Sequence, residues 1–146
     1  MRLKSVLIFV SVLVLLAVGW YQLEPWAVTF IDDGPYYSRE YSRPVESLPL
    51  QSSVELRRFG VIAYTLESRS LVDRNESVLV LRNAAGAIKW TRIPLKPDGE
   101  LGFLELLRAH VTWYGGWRIR IAPDNQEPGD LYIGALGRFR FFNHSW

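Results

Sequence analysis

An uncharged apolar segment near the N-terminus restricts the architecture of this chain more than any other feature. From Ser5 to Leu23 there is no charged residue, and most of the side chains are aliphatic or aromatic. A helix that crosses a bilayer needs about 20 predominantly apolar residues. The segment therefore predicts one membrane-spanning helix, with the rest of the chain on a single side of the membrane.

The charges that flank this segment predict its orientation. Arg2 and Lys4 precede it, and Glu24 is the first acidic residue after it. Since positively charged flanks stay on the cytoplasmic side, we expect the N-terminus in the cytoplasm. The remainder would then lie in the periplasm or on the extracellular side. This layout is typical of a single-pass protein in the cytoplasmic, or inner, membrane of a bacterium.

A cleaved secretory signal is the alternative interpretation of the same residues. Ala17-Val18-Gly19 has the small-x-small pattern of a cleavage site, and Arg2 with Lys4 would form the basic region of the signal. The bulky Trp20 would follow the cut directly, which favours a retained anchor. Both interpretations place residues 24–146 outside the cytoplasm.

Composition excludes several classes of function. Two of the 17 basic residues precede the apolar segment, so 15 basic and 15 acidic residues remain in the rest of the chain. A neutral domain lacks the many Lys and Arg contacts to phosphates on which nucleic-acid binding depends, so we predict no nucleic-acid partner. The absence of cysteine excludes disulfides, thiolate metal sites and cysteine nucleophiles.

We divide the chain into an anchor at 1–23, an extended connector at 24–53 and a β-rich domain at 54–146. The connector contains the turn sequence Asp32-Asp33-Gly34-Pro35 and several tyrosines, and we interpret it as lying across the domain. Within the domain, Val54–Leu66 alternates loosely and is interpreted as a strand with a bulge or bend at Gly60.

The next segments carry clearer strand patterns. Ser77–Arg82 is a continuous apolar run that predicts a strand buried on both faces. Gly86 suits the left-handed position of a bulged turn, and Ile88–Leu95 then forms the partner strand. Leucines at 101, 104 and 107 have helical spacing, and Glu105 interrupts a strand alternation, so 99–108 is predicted as a short helix.

A hairpin is predicted at 110–121, with Gly115-Gly116 as a two-residue turn. In that register Trp113 pairs with Arg118. One face, predicted to point into the core, carries His110, Thr112, Tyr114, Trp117, Ile119 and Ile121. Another hairpin follows at 131–142. Together these patterns predict a mainly β fold: an N-terminal transmembrane helix, then a single antiparallel β-sandwich or partly open barrel with one short helix.

Arginines on two of these strands are the candidate binding residues. Arg118 and Arg120 share one strand face, and Arg138 and Arg140 share a face of another strand. If the two strands are neighbours, four guanidiniums gather on one outer face, where they suit carboxylates, phosphates or an acidic protein surface. The alternative is a solvated face paired with local acids. The exposed aromatic Trp113 completes this candidate set.

The sequence shows no catalytic constellation. The histidines, His110 and His144, stand without a nucleophile motif such as Gly-x-Ser-x-Gly. Carboxylates at 124–130 and at 32–33 are interpreted as polar turns and not as metal ligands. We therefore predict no cofactor, no metal and no enzymatic activity.

The function we favour is a membrane-anchored extracytoplasmic domain that binds a protein partner in a cell-envelope complex. The second hypothesis is a carbohydrate- or lipid-binding module that uses exposed tryptophans such as Trp90, Trp113 and Trp146. A hydrolase without a visible motif is third.

Overall fold

The computed structural model describes residues 2–29, 37–95, 101–124 and 128–144, and the chain divides into two compact units, Met1–Ile31 and Asp32–Trp146. The first unit contains helix α1, Leu3–Thr29. Its 21-residue stretch Leu3–Leu23 is long and apolar enough to cross a membrane, since about 1.5 Å per residue gives roughly the 30 Å of a hydrocarbon core. No side chain in that stretch is buried within the protein.

The second unit is built from β-strands, nine of them in the described residues: β1 Tyr37–Glu40, β2 Leu50–Arg58, β3 Val61–Leu71, β4 Glu76–Asn83, β5 Ile88–Leu95, β6 Leu104–Val111, β7 Trp117–Pro123, β8 Gly129–Ile133 and β9 Phe139–His144. A short 3-10 turn, Val72–Arg74, joins β3 to β4. The strands form two antiparallel sheets, ordered β1-β5-β4-β3-β2 and β6-β7-β8-β9. The described strands form no closed barrel, so the predicted mainly β fold with an apolar N-terminal helix is confirmed.

One hydrophobic core is shared by the two sheets. Because side chains alternate along a strand, every second residue of the central strands points into it. The fully buried members are Leu56, Leu66, Leu79, Leu81, Leu104, Trp117, Ile119, Ile121, Leu131 and Ile133. Two serines cross-link the sheets at one point: the Ser68 hydroxyl donates to the Leu104 carbonyl oxygen at 2.6 Å, and the Leu104 N–H donates to Ser77 Oγ at 2.8 Å.

The segment predicted as a short helix is a strand. β6 begins at Leu104, with Leu104 and Leu106 buried and Glu105 exposed between them. Glu105 therefore follows the alternation of buried and exposed side chains along the strand and does not interrupt it. A bulge between Leu106 and Arg108 leaves Leu107 on the solvent side, so the helical spacing of the leucines has no structural meaning. Residues 99–100 lie outside the described ranges.

The hairpin that joins β6 to β7 has another register than predicted. Val111 pairs with Trp117 and His110 with Arg118. The loop has three residues and ends at Gly115, the position with positive φ. Gly116 is required for a different reason: a Cβ there would clash with the Ile133 carbonyl oxygen.

The new register changes the predicted core face of this hairpin. Trp117, Ile119 and Ile121 are buried as predicted, and Tyr114 is also buried within the loop. His110 is exposed, so its assignment to the core was wrong.

The predictions for 77–95 are confirmed. Val78 to Leu81 are completely buried, as a central strand requires. In the following loop the Gly86 N–H donates to the Asn83 carbonyl oxygen at 3.0 Å, and Gly86 has a φ of 89°. Val54–Leu66, in contrast, is not one bent strand. It contains the end of β2, a tight turn at Phe59-Gly60 and the start of β3.

Part of the predicted connector packs against the five-stranded sheet. Residues 24–29 continue α1, and 37–40 form the edge strand β1. Residues 41–49 then cross the outer face of the sheet, where Val45 is buried against Val78, Val80 and Ile93. The turn sequence at 32–35 lies outside the described residues.

Candidate functional site

Four hairpin ends lie together at one end of the β unit. They are the β2–β3 turn at 59–60 and the loops at 84–86, 113–115 and 135–137. Arg58 joins three of them, because its Nη2 donates to the Gly115 carbonyl oxygen at 2.6 Å and to that of Ala135 at 2.7 Å. The first described strand of this unit, β1, begins at Tyr37, which pairs with Leu95 at the opposite end.

Two tryptophans, one buried and one half-buried, hold this end in place. The Arg58 guanidinium lies 4.6 Å from the ring centroid of Trp117, within the range of a cation–π contact. Trp117 is itself buried, and its indole N–H donates to the Arg57 carbonyl oxygen at 2.9 Å. Trp90 donates in the same way to the Gly137 carbonyl oxygen at 2.6 Å. The loops are therefore fixed by side chains that reach across from the other sheet.

Large apolar side chains project from this end into solvent. We call Phe59, Val61, Trp113 and Leu136 the hairpin-tip surface, and their exposed fractions are 98%, 68%, 65% and 61%. Single exposed apolar residues are common on soluble proteins, but a group of them on one surface usually marks a binding site. Trp113, predicted from sequence as a binding residue, belongs to this group.

The backbone at Phe59 gives a second indication of function. Phe59 and Gly60 have φ values of 52° and 77°, the conformation of a type I′ turn, in which Asn-Gly is preferred. A phenylalanine in the left-handed region is strained, and its almost fully exposed ring gains nothing from burial. Strain that local packing does not offset is characteristic of functional positions.

The arginines predicted as a binding face are arranged differently. Arg118 Nη2 lies 2.6 Å from Asp130 Oδ2, and Arg120 Nη1 lies 3.7 Å from the same oxygen. The Asp130 side chain, on the intervening strand β8, is 3% exposed. Because β8 separates β7 from β9, the strands that carry the two arginine pairs are not neighbours. Arg138 is exposed beside the 135–137 loop, and the Arg140 side chain lies outside the described residues.

Two of the tryptophans that the sequence offers as candidates, Trp113 and Trp90, lie in the described part of the chain. Trp113 packs edge-to-face against Tyr114, with ring centroids 5.9 Å apart. Trp90 is half-buried, and its ring meets that of Phe139 edge-to-face with centroids 5.7 Å apart. Trp146 lies outside the described ranges. Within the described ranges no three His, Asp or Glu side chains are grouped so that they would hold a metal ion.

A charged network covers the outer face of the five-stranded sheet. Arg82 contacts Glu46 at 3.0 Å and Glu67 at 3.1 Å, and Arg69 contacts Glu67 at 2.8 Å. The hydrogen bond from Arg82 and its charge hold the pKa of Glu46 below its ordinary value. Arg69 also donates to the Leu48 carbonyl oxygen at 2.9 Å. This network fastens residues 41–49 to the sheet.

Sequence reasoning did not find most of the hairpin-tip surface. Phe59 and Val61 were assigned to one bent strand, and Leu136 had no assigned role. The pair Phe59-Gly60 between two alternating segments was the available signal, because a glycine in a two-residue turn is typical of a hairpin.

No protein-family model matches this chain, and neither a curated protein nor a solved structure shows significant similarity to it.

Proposed function

We propose that this chain is a single-pass membrane protein whose β unit binds a protein partner as an accessory component of a cell-envelope complex. Helix α1 would stay attached as the anchor, with its N-terminus in the cytoplasm and the β unit in the periplasm or on the extracellular side. The apolar stretch Leu3–Leu23 and the basic residues Arg2 and Lys4 before it support this arrangement.

The hairpin-tip surface is the observation that carries the binding proposal. Protein interfaces depend on a few large anchors, among which tryptophan is strongly over-represented. Here Trp113, Phe59 and Leu136 project from loops that Arg58 already holds together. A surface that is ordered before binding loses less conformational entropy on association.

Co-purification of the full chain from its native membranes in mild detergent tests the proposal. Val61→Ser should lose the partner, because Val61 is 68% exposed on the hairpin-tip surface. Val72→Ser is the matched control, since Val72 is also 68% exposed but lies in the 3-10 turn at the other end. Equal loss from both variants, or retention by Val61→Ser, contradicts the proposal.

A lipid surface is the second candidate for the same site. Aromatic tips with basic neighbours insert into the interface of anionic bilayers, and Arg57, Lys89 and Arg138 lie near the tips. A flotation assay distinguishes the protein partner from the lipid surface. The full chain is held in zwitterionic nanodiscs and mixed with separate phosphatidylglycerol vesicles, and the assay measures how much of it floats with the vesicles. Vesicle binding that Trp113→Ser abolishes, without any co-purifying protein, would favour lipid. A glycan array that compares the parent chain with Trp113→Ser tests the carbohydrate hypothesis.

A further inference from the structure

A groove lies on the outer face of the five-stranded sheet, away from the hairpin tips. It has a volume of about 210 Å³ and runs between the start of the 41–49 segment and the 3-10 turn at 72–74. Its lining includes Arg39, Tyr41, Arg43, Asp73, Arg74 and Ile93. Arg39 belongs to the edge strand β1 and lies two residues after its first residue, Tyr37.

The arginines of this groove have unused hydrogen-bonding capacity. Arg39 Nη2 lies 2.7 Å from Glu76 Oε2, but its Nε is enclosed without a hydrogen-bond partner in the described part of the chain. Arg43 and Arg74 are exposed, and neither guanidinium is hydrogen-bonded or ion-paired to any described residue. Two acidic residues, Glu40 and Asp73, also line the groove, and Glu76 is paired with Arg39 beside it.

Other arginines on the same sheet face show how a purely structural arginine is placed here. The side chains of Arg69 and Arg82 are 12% and 17% exposed, and each contacts a glutamate within 3.1 Å. Each also donates to a backbone carbonyl oxygen. Arg43 and Arg74 have no such partner in the part of the chain that the structure describes, although both line the groove.

We propose that this groove binds a phosphate ester. Arginine forks match the oxygens of a phosphate group, and three arginines line this groove. A volume of about 210 Å³ is below the roughly 300–1,000 Å³ of drug-sized pockets, so a small anionic group fits. The buried Ile93 and the half-buried Leu71 provide an apolar floor for the carbon atoms next to the phosphate.

Two sources supply the same chemistry: the headgroup of an anionic phospholipid or a soluble phosphate ester. The test uses the full chain in phosphatidylcholine nanodiscs and follows the Nε–H signals of its arginines by NMR. Titration with glycerol phosphate should shift the Arg39 Nε–H signal with saturation. If the source is the phospholipid, incorporation of phosphatidylglycerol into the nanodisc should produce that shift without added glycerol phosphate. If the source is a soluble phosphate ester, phosphatidylglycerol should leave the glycerol phosphate titration unchanged.

Charge-matched variants distinguish a site from general attraction. Arg43→Ala with Arg74→Ala should weaken binding by about tenfold or more, since two charge-assisted contacts are lost. Arg57→Ala with Lys89→Ala removes the same net charge outside the groove and should leave the affinity for glycerol phosphate unchanged.

Equal weakening by both pairs of substitutions, or no saturable shift with either glycerol phosphate or phosphatidylglycerol, overturns the proposal. The hairpin-tip surface is not involved, so Val61→Ser should bind glycerol phosphate normally. The two proposals therefore fail independently.

Discussion

Removing Arg118 and Arg120 should destabilise the β unit, because their shared partner is a buried carboxylate. Asp130 Oδ2 accepts a hydrogen bond from Arg118 at 2.6 Å, and Arg120 lies 3.7 Å away. In Arg118→Ala with Arg120→Ala, Asp130 would keep its buried position without either of these two cations.

The size of the effect follows from the exposures of the three side chains. Breaking a fully buried ion pair costs about 3–5 kcal/mol, whereas an exposed pair contributes about 0–1 kcal/mol. Asp130 is 3% exposed, but the arginines are 46% and 41% exposed, so water replaces part of the interaction. We expect a loss of about 1–3 kcal/mol, between these limits.

Urea unfolding of the full chain in detergent measures this loss, with tryptophan fluorescence as the readout. Asp130→Asn in the double-arginine background is the control, because it removes the unpaired charge and keeps the shape of the side chain. It should recover a large part of the lost stability. An unfolding midpoint equal to that of the parent, or no recovery with Asp130→Asn, would refute the reasoning and would restore these arginines as candidates for a purely binding role.

Three further predictions concern single positions. Phe59→Asn should raise the free energy of unfolding by about 0.5–1 kcal/mol while weakening partner binding, because asparagine tolerates the left-handed region; a destabilised Phe59→Asn would contradict this. Gly116→Ala should lower stability by about 1–3 kcal/mol or more, since its Cβ clashes with the Ile133 carbonyl oxygen, and an unchanged melting temperature would be inconsistent with the loop geometry. Arg82 lowers the pKa of Glu46. The contribution of this pair to the stability of the β unit is therefore present above the ordinary pKa of 4.5 and is lost as the pH falls through the lowered pKa. Glu46→Gln should therefore reduce the fall in the unfolding midpoint on acidification, and an unchanged acid profile would exclude the pair as a contributor.

The fold class followed from local patterns that tertiary contacts reinforce. The apolar run before Leu23 and the buried strand at 77–82 depend on burial along one continuous segment, which a sequence displays directly. The prediction of a short helix at 99–108 was wrong because the bulge at Leu107 shifts the alternation of buried and exposed side chains by one residue. The predicted register of the hairpin at 110–121 was wrong because Gly116 is needed for the close approach of Ile133. This contact with another strand cannot be read from the spacing of residues in the sequence.

The candidate site was less accessible to sequence reasoning. Trp113 was identified as a large aromatic residue beside a turn, and the structure leaves it exposed. Its neighbours on the hairpin-tip surface come from separate hairpins, and Arg58 brings two of those hairpins to the β2–β3 turn through backbone carbonyls. The arginine face depended on strand order, and β8 lies between the two strands that would have formed it.

Site-specific photo-crosslinking in native membranes tests the central claim most directly. A photoreactive amino acid is placed in turn at Phe59, Trp113 and Leu136, and at the exposed control positions Leu50 and Val72 near the opposite end. Our account predicts one crosslinked protein, the same from all three hairpin-tip positions and absent from both controls. Crosslinking from Leu50 or Val72 to that protein, with none from the hairpin-tip surface, would contradict it.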